Sequence, residues 1–505
     1  MIPPLPDHML RQLGRTEGDA DTLGVLVRDQ DTRRLLLLRA LLDAAGEAPA
    51  HVLAPHALDR LRQDWALLET AERADRTAVR TVLLHPLVGP WIQRCLHGLS
   101  GHGPTSATAP GPGLRADLDH LSALAAAAAI RAGVPFTTRL AGRDGLLPLP
   151  TLGALRTDPD APGTVDVAFS GTELTLRHIA AGPPVVVHTQ PDGATGSADP
   201  RWLPVHVLPA VRHGIGPLPL DDIDPYRTDG PGLGRHGLST ATAIDDHARK
   251  SWTESWAGVP PLLRIGGEHR LTEVTVLLRC LVPLGPPPGS GPAGEGAAHC
   301  SGTRREAFGA VLSSEPATPA SFAATLVHEL QHTKLAALAA LVPLHHEDAT
   351  PRHFAPWRPD PRPFDGLLQG AYSHLALADH WQRNALFARR VTHRDLAWAE
   401  HARCREQVAA VLPALAGSAA LTREGRILVN EMIALYHRLD DCPPPAGHLA
   451  RARAYVATAK VIWQQRNGSH QPWETPGIVR RDDHAPVYVD KARIDAGRRL
   501  NARNA

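Results

Sequence analysis

One predicted helix constrains this chain more than any other feature. Residues 321–341 contain no glycine or proline and consist mainly of strong helix formers. Thr318 and Pro319 come directly before this stretch. A threonine side chain can accept a hydrogen bond from the first free backbone N–H groups, and proline suits the first helical position. The sequence therefore predicts a long helix that begins immediately after Thr318.

This helix carries the motif His328-Glu329-Leu-Gln-His332. Side chains four residues apart lie on one face of a helix, so both imidazoles can point toward one metal ion. The residues on either side are mostly apolar, which indicates a buried helix, where polar groups without partners cost about 1–3 kcal/mol each. The HExxH spacing is that of the zincins and predicts a divalent metal site. The alternative is an exposed helix face on which two histidines occur by chance.

A catalytic metal held by two histidines needs a third protein ligand. The residues after His332 do not continue into the HExxHxxGxxH pattern, since leucines occupy the glycine position and the final histidine position. Glu347, in a predicted loop, is the only glutamate between His332 and Glu400. His374 lies on the apolar face of a predicted helix over residues 366–381, and we expect it to be the third ligand. Other candidates remain open: His346, Glu347 and Asp379.

Composition excludes several other classes of protein. The chain has 505 residues, a formal charge of +1 and no long basic run, so charge does not favour binding to nucleic acid or to a membrane surface. The N-terminus lacks the pattern of a signal peptide, and no apolar stretch is long enough to cross a membrane. The five cysteines are scattered and form no CxxC pair. We therefore expect a cytoplasmic protein with reduced thiols.

The hydrophobic patterns predict an α+β fold that is predominantly helical, with an N-terminal helical region and a small antiparallel sheet beside the metal helix. Helices are expected over residues 32–45, 121–130, 244–256, 395–415 and 422–439. Strands are expected over residues 164–169, 173–177, 184–188, 271–284 and 307–312. The strand at residues 307–312 precedes the metal helix; it is expected to be an edge strand to which an extended peptide can add or, as the alternative, one more strand of the sheet. Residues 100–113 and 286–298 are rich in glycine and proline and are expected to be loops.

These patterns divide the chain into five expected regions. They are a helical N-terminal region (1–140), a β-rich region that is a possible peptide-binding region (141–260), a catalytic core (261–395), C-terminal helices (396–470) and a weakly structured tail (471–505).

Two stretches, residues 312–344 around the motif and residues 353–381, closely resemble the HExxH-type peptide-modification proteins of actinobacterial gene clusters. Proteins of that family accompany short ribosomal peptides that end in an FxSxx motif, together with a radical-SAM maturase. The resemblance extends over about residues 265–390. It implies a zincin-like core, a precursor peptide as substrate and a radical-SAM enzyme as a possible partner on the same peptide.

The resemblance also implies a reaction. Members of this family are Fe(II)- and 2-oxoglutarate-dependent β-hydroxylases that use O₂ as cosubstrate. Carried over to this chain, the metal ligands are His328, His332 and His374, and Glu329 orients a ligand or a water molecule. The distal carboxylate of 2-oxoglutarate needs a cation, best a guanidinium. Our candidates for that role are Arg358, Arg362 and Lys334.

Two alternatives remain open from the sequence. The motif alone is typical of a zinc metallopeptidase, in which Glu329 activates a Zn(II)-bound water as a general base. The second alternative is a non-catalytic peptide-binding accessory protein with a structural metal. A structural site usually has four protein ligands, whereas the sequence offers three credible ones.

Overall fold

The computed structural model describes eleven ranges of residues: 5–100, 112–158, 163–178, 182–190, 193–211, 215–230, 233–234, 238–286, 299–347, 349–467 and 488–489. The chain divides into two compact units. Unit 1 comprises Met1–Gln30, Leu208–Leu218 and Pro231–Ala505, and unit 2 comprises Asp31–Val207 and Pro219–Gly230. The expected division into five regions is finer than this one and stays a prediction.

Helices are the main component of the described ranges, and the prediction of a predominantly helical mixed fold is confirmed. None of the described helices is sufficiently long and apolar to cross a membrane. The α-helices are α1 (Asp7–Gly14), α2 (Ala20–Glu47), α3 (Pro55–Ala74), α4 (Arg76–Leu83), α5 (Val88–Ser100), α6 (Pro112–Arg131), α7 (Asp246–Ala257), α8 (Val259–Ile265), α9 (Glu268–Leu277), α10 (Pro319–Leu341), α11 (Phe364–Phe387), α12 (Val391–Ala416), α13 (Arg423–Arg438) and α14 (Ala446–Asn467). Short 3₁₀ turns occur at Arg305–Ala307 and Leu439–Asp441.

The strands are short. They are β1 (Phe136–Ala141), β2 (Leu146–Leu149), β3 (Gly153–Arg156), β4 (Thr164–Phe169), β5 (Glu173–His178), β6 (Val185–Thr189), β7 (Thr195–Gly196), β8 (Trp202–Pro204), β9 (His206–Leu208), β10 (Leu218–Leu220), β11 (Cys280–Leu284), β12 (Ser301–Thr303), β13 (Ala310–Ser314) and β14 (Tyr488–Val489).

Unit 2 contains two antiparallel sheets, with strand orders β1-β4-β5-β6-β7 and β2-β3-β8. The three strands predicted at residues 164–188 are confirmed as β4, β5 and β6. Their residues alternate between buried and more exposed positions, as expected for a sheet with one face against a core. That core includes the alanine-rich helix α6, which buries Ala125 to Ala129 completely. The predicted helices at residues 32–45 and 121–130 lie within α2 and α6.

Unit 1 holds the predicted metal helix, α10, which begins at Pro319 as expected. Thr318 caps it: the Thr318 hydroxyl accepts from the Ser321 N–H, and the Ser321 hydroxyl accepts from the Thr318 N–H, both at 3.1 Å. The predicted helices over residues 244–256, 366–381, 395–415 and 422–439 are also present, as α7, α11, α12 and α13. Thr422 caps α13 through the N–H of Gly425.

Two predictions about strands in unit 1 are wrong. Residues 271–284 were expected to form a buried strand or a pair of strands, but their first half is helical in α9 and Cys280–Leu284 form the strand β11. The pattern of an apolar run of this length fits either a helix or a strand. Buried polar contacts of α9 favour the helix. The strand predicted at residues 307–312 is β13, and it is internal. It pairs in parallel with β11 on one side and antiparallel with β12 on the other, so an added peptide strand cannot reach it.

The predicted loops at 100–113 and 286–298 and the tail over 471–505 fall almost entirely outside the described residues. Of the predicted loops, the described residues include 100, 112 and 113, which belong to α5 and α6 rather than to a loop, and 286. Of the tail, they include Tyr488 and Val489, which pair antiparallel with Thr303 and Gly302 of β12.

Candidate metal centre

Helix α10 buries the whole HExxH motif. Glu329 has no exposed surface, and His328 and His332 are 3% and 4% exposed. The helix packs on α11, α8 and α9 and against β12 and β13. The alternative of an exposed helix face that carries two histidines by chance is therefore excluded.

The two motif histidines face each other one helical turn apart. Their Nε2 atoms are 3.1 Å apart, and their ring centroids are 4.7 Å apart with planes at 84°. Two imidazoles bound to one metal at about 2.1 Å place their nitrogen atoms about 3.0–3.4 Å apart. The same separation fits an N–H···N hydrogen bond between two neutral rings. The other nitrogen of His332, Nδ1, lies 3.4 Å from Oε1 of Gln369 on α11, an arrangement that directs Nε2 toward His328.

His374 lies on α11 beside this pair. Its ring centroid is 5.4 Å from that of His328. Nδ1 of His374 donates to the carbonyl of Gly370 at 2.8 Å, which fixes the tautomer in which Nε2 of the neutral ring is the metal-binding nitrogen. The indole of Trp357 stacks on the ring, with centroids 4.5 Å apart and planes at 20°. Gly370 permits this packing, because a Cβ at that position would lie 2.3 Å from the Trp357 ring.

The three histidines are close together but do not converge on one point. Among the described residues, a different group of three is more compact. It consists of His85, Asp221 and Asp224 of unit 2, whose candidate ligand atoms all lie within 4.8 Å of one another. Two nitrogens on one metal at about 2.1 Å are at most about 4.2 Å apart. Binding of one ion by all three histidines therefore requires the His374 ring to move toward His328 and His332.

Glu329 is held by a neighbouring strand. Its Oε1 accepts a hydrogen bond of 2.7 Å from the hydroxyl of Ser301, in β12. Burial and the nearby Glu329 carboxylate raise the pKa of the adjacent Cys300 thiol, against hydrogen bonds from Ser314. A carboxylate that is fully buried and oriented by a serine is suited to fix the position of a ligand or a water molecule.

The two predicted arginines lie in the segment that Trp357 holds over His374, but they face a common carboxylate. Nε of Arg358 donates to Asp360 at 3.0 Å, and Nη1 of Arg362 lies 3.5 Å from the same carboxylate. Burial opposes the ionisation of Asp360, but the hydrogen bond and the charge of Arg358 outweigh it and lower the pKa of Asp360. Asp360 therefore partly neutralises both arginines.

Lys334 is wrongly predicted as a cosubstrate residue. Its fully buried ammonium donates to Oε1 of Glu273 at 2.5 Å and to the carbonyls of Thr16 and Glu17. It is two positions, about 200°, beyond His332 on the helix and so projects from the opposite side. Arg270 and Gln331 also bind Glu273, so Lys334 helps to anchor α10 to α9.

Burial disfavours ionisation of Glu273, but the charges of Lys334 and Arg270 outweigh it and lower the pKa of Glu273 to about 2. For Lys334, burial outweighs the attraction of Glu273 and lowers the pKa to about 8.

The other candidates for the third ligand are engaged elsewhere. Asp379 accepts from Arg383 at 3.0 Å and lies 3.7 Å from Arg270. Glu347 pairs with Arg352 at 2.7 Å, and His346 is exposed. The structure thus leaves His374 as the best placed of the four.

Sequence reasoning missed several residues around the motif: Ser301, Trp357, Gln369 and Gly370. Only Trp357 had a signal in the sequence, because a tryptophan between two prolines in a polar segment is typical of an anchoring residue. The chain matches no family model, and no curated protein shows significant similarity to it. The resemblance to the HExxH-type peptide-modification proteins thus stays an expectation.

Proposed function

We propose that this chain is an Fe(II)- and 2-oxoglutarate-dependent hydroxylase that modifies the β-carbon of a residue in a ribosomally made precursor peptide. The main observation in favour of a metal centre is the buried pair of Nε2 atoms, 3.1 Å apart on His328 and His332, with His374 beside it. The choice of reaction and substrate draws on the family resemblance of residues 312–344 and 353–381. A zincin-like core and a radical-SAM partner belong to the same proposal.

The donor set argues against one class of zinc peptidase, although three histidines also hold catalytic zinc and depart from the two-histidine, one-carboxylate set usual for Fe(II) oxygenases. Helix α11 supplies a histidine and contains no glutamate, so the two-histidine, one-glutamate set of many zinc peptidases is not available from it. Three neutral histidines also leave the centre more positive than a set with a carboxylate, which favours an anionic cosubstrate. When bound, Fe(II) with 2-oxoglutarate and O₂ supplies the oxidising chemistry that inserts one oxygen atom into a C–H bond.

The protein's own residues prepare this centre. The Gly370 carbonyl and the Gln369 amide hold His374 and His332 by their Nδ1 atoms, so each presents Nε2. Stacked Trp357 limits rotation of the His374 ring. Ser301 keeps Glu329 in one orientation, and burial of the motif excludes bulk water from the centre.

The test is an anaerobic reconstitution with Fe(II) and 2-oxoglutarate. We expect a weak visible charge-transfer band, and after addition of O₂ and an FxSxx-type precursor peptide, succinate and a peptide heavier by one oxygen atom. His374→Ala should lose both products, whereas His346→Ala, a matched control at an exposed histidine, should retain them. Peptide fragments formed with Zn(II) alone would instead support the metallopeptidase alternative, with Glu329 as base. Full activity of His374→Ala would reject its assignment as a ligand.

A further inference from the structure

A cavity of about 130 Å³ opens beside His332 on the side of α10 that faces β12. Its polar lining consists of Gln30, His332 and Thr333 together with three consecutive residues at and after the end of β12: Thr303, Arg304 and Arg305. Phe308 and alanines of α10 form the remaining wall. The cavity therefore joins a motif histidine to a short basic segment that the sequence analysis did not consider.

Thr303 carries an unused hydroxyl at this cavity. Thr303 is 3% exposed, and among the described residues its Oγ1 has no hydrogen-bond partner. A buried hydroxyl without a partner costs about 1–3 kcal/mol. Thr333, across the cavity, already donates to the Glu329 carbonyl at 3.2 Å. A ligand with an acceptor atom near Thr303 would recover the missing hydrogen bond.

Each of the two arginines in the cavity wall is paired with a carboxylate outside the lining, which partly neutralises its charge. Arg304 and Arg305 both line the cavity, and none of its lining residues is acidic. Carboxylates orient the two guanidinium groups: Nε of Arg304 donates to Glu306 at 2.7 Å, and Nη2 of Arg305 donates to Asp365 at 2.6 Å. Planar guanidinium groups held in this way are suited to bind a carboxylate.

We propose that this cavity binds a carboxylate group of a small organic acid, with Thr303 and Arg305 as its main contacts. A cavity of about 150 Å³ holds benzene, so this one accommodates about six heavy atoms, enough for one end of a dicarboxylic acid. The other end would lie toward His332. The identification of this acid as the cosubstrate 2-oxoglutarate rests on the proposed function. In that case the residues that bind its distal carboxylate lie at the end of β12 and just after it, and not at Arg358 and Arg362.

The test measures binding of 2-oxoglutarate and of succinate to the full chain without metal, by calorimetry. Succinamide, which has the same shape without charge, is the ligand control and should not bind. Thr303→Val replaces the hydroxyl with a methyl group of similar size, and we expect at least tenfold weaker binding with unchanged or higher thermal stability, since valine suits an apolar wall. Arg305→Gln should weaken binding at least tenfold, while Arg358→Gln, the matched control, should change it less than twofold.

The outcomes separate this inference from the proposed function. Unchanged binding in both Thr303→Val and Arg305→Gln, or a loss confined to Arg358→Gln, overturns the assignment of this cavity, even when Fe(II) binds to the histidines as expected. Equal binding of succinamide also overturns it, because charge would then not be recognised. In a separate metal-binding assay the protein could prove unable to bind Fe(II). Binding of the acid that still depends on Thr303 and Arg305 would then support the cavity and contradict the proposed hydroxylase.

Discussion

The two groups of candidate metal ligands in this chain differ in what their ligand atoms already do. In unit 2, His85, Asp221 and Asp224 are buried and closely grouped. However, Oδ1 of Asp221 accepts the backbone N–H groups of Ile223 and Asp224, and Oδ1 of Asp224 accepts that of Tyr226. These carboxylates close the loop after β10, which explains their position without a metal ion.

The histidines of unit 1 show the opposite combination. They are grouped less tightly, but Gly370 and Gln369 hold the Nδ1 atoms of His374 and His332, so that the Nε2 atoms of these two rings remain as the ligand atoms. A cavity lined by two arginines adjoins His332. We therefore expect ligand orientation and access for a second ligand to identify a functional metal site better than short distances between ligand atoms do.

Metal binding by variants tests this comparison directly and should show the largest effect. We expect His328→Ala and His332→Ala to weaken binding of Fe(II) or Zn(II) at least about 100-fold, because each removes one of two adjacent ligands. His85→Ala should leave the affinity within about twofold. The measurement is equilibrium dialysis followed by metal analysis, with circular dichroism to check folding.

Loss of metal binding in His85→Ala, with binding retained in His332→Ala, would place the metal site in unit 2 and not in unit 1. Asp221→Asn then provides a second reading, since the amide keeps an oxygen for the backbone N–H groups but is a poorer metal ligand.

Stability offers the next largest contrast, because a buried ion cluster lies behind the histidine group of unit 1. Glu273 lies between the fully buried Arg270 and Lys334 behind α10. Glu273→Gln removes the carboxylate that these two cations share, while Asp379 stays 3.7 Å from Arg270, and the change should lower the free energy of unfolding by about 3–5 kcal/mol. Asp221→Asn should cost only about 1 kcal/mol. Urea unfolding measures both, and equal losses would show that the cluster does not stabilise the metal helix.

Local signals explain what the sequence predicts well. The start of α10 follows from Thr318 and Pro319, whose effect on a helix end depends only on neighbouring residues. The strands β4, β5 and β6 follow from alternating burial. The pairing of the two motif histidines follows from their spacing alone.

Long-range contacts explain what the sequence does not predict. Lys334 looks like a free cation on the metal helix, but its partner Glu273 is 61 positions away, on α9. Thr303 and Arg305 become neighbours of His332 only when β12 packs against α10. No local pattern in residues 299–306 indicates that contact.

A lower pH should produce the smallest of these effects, a loss of stability in the metal-free protein. Burial, with a smaller effect of Arg143, lowers the pKa of His120 in unit 2 from 6.5 to about 3. The folded protein thus keeps this ring neutral, while the unfolded chain binds a proton below pH 6.5. Its contribution to stability is complete above that pH and is lost as the pH falls toward 3, by about 2–3 kcal/mol at pH 4.5.

In urea unfolding of the metal-free protein, His120→Gln should make stability less dependent on pH between 6.5 and 4.5, whereas the exposed control His247→Gln should not. An unchanged slope in His120→Gln would show that other groups cause the acid sensitivity.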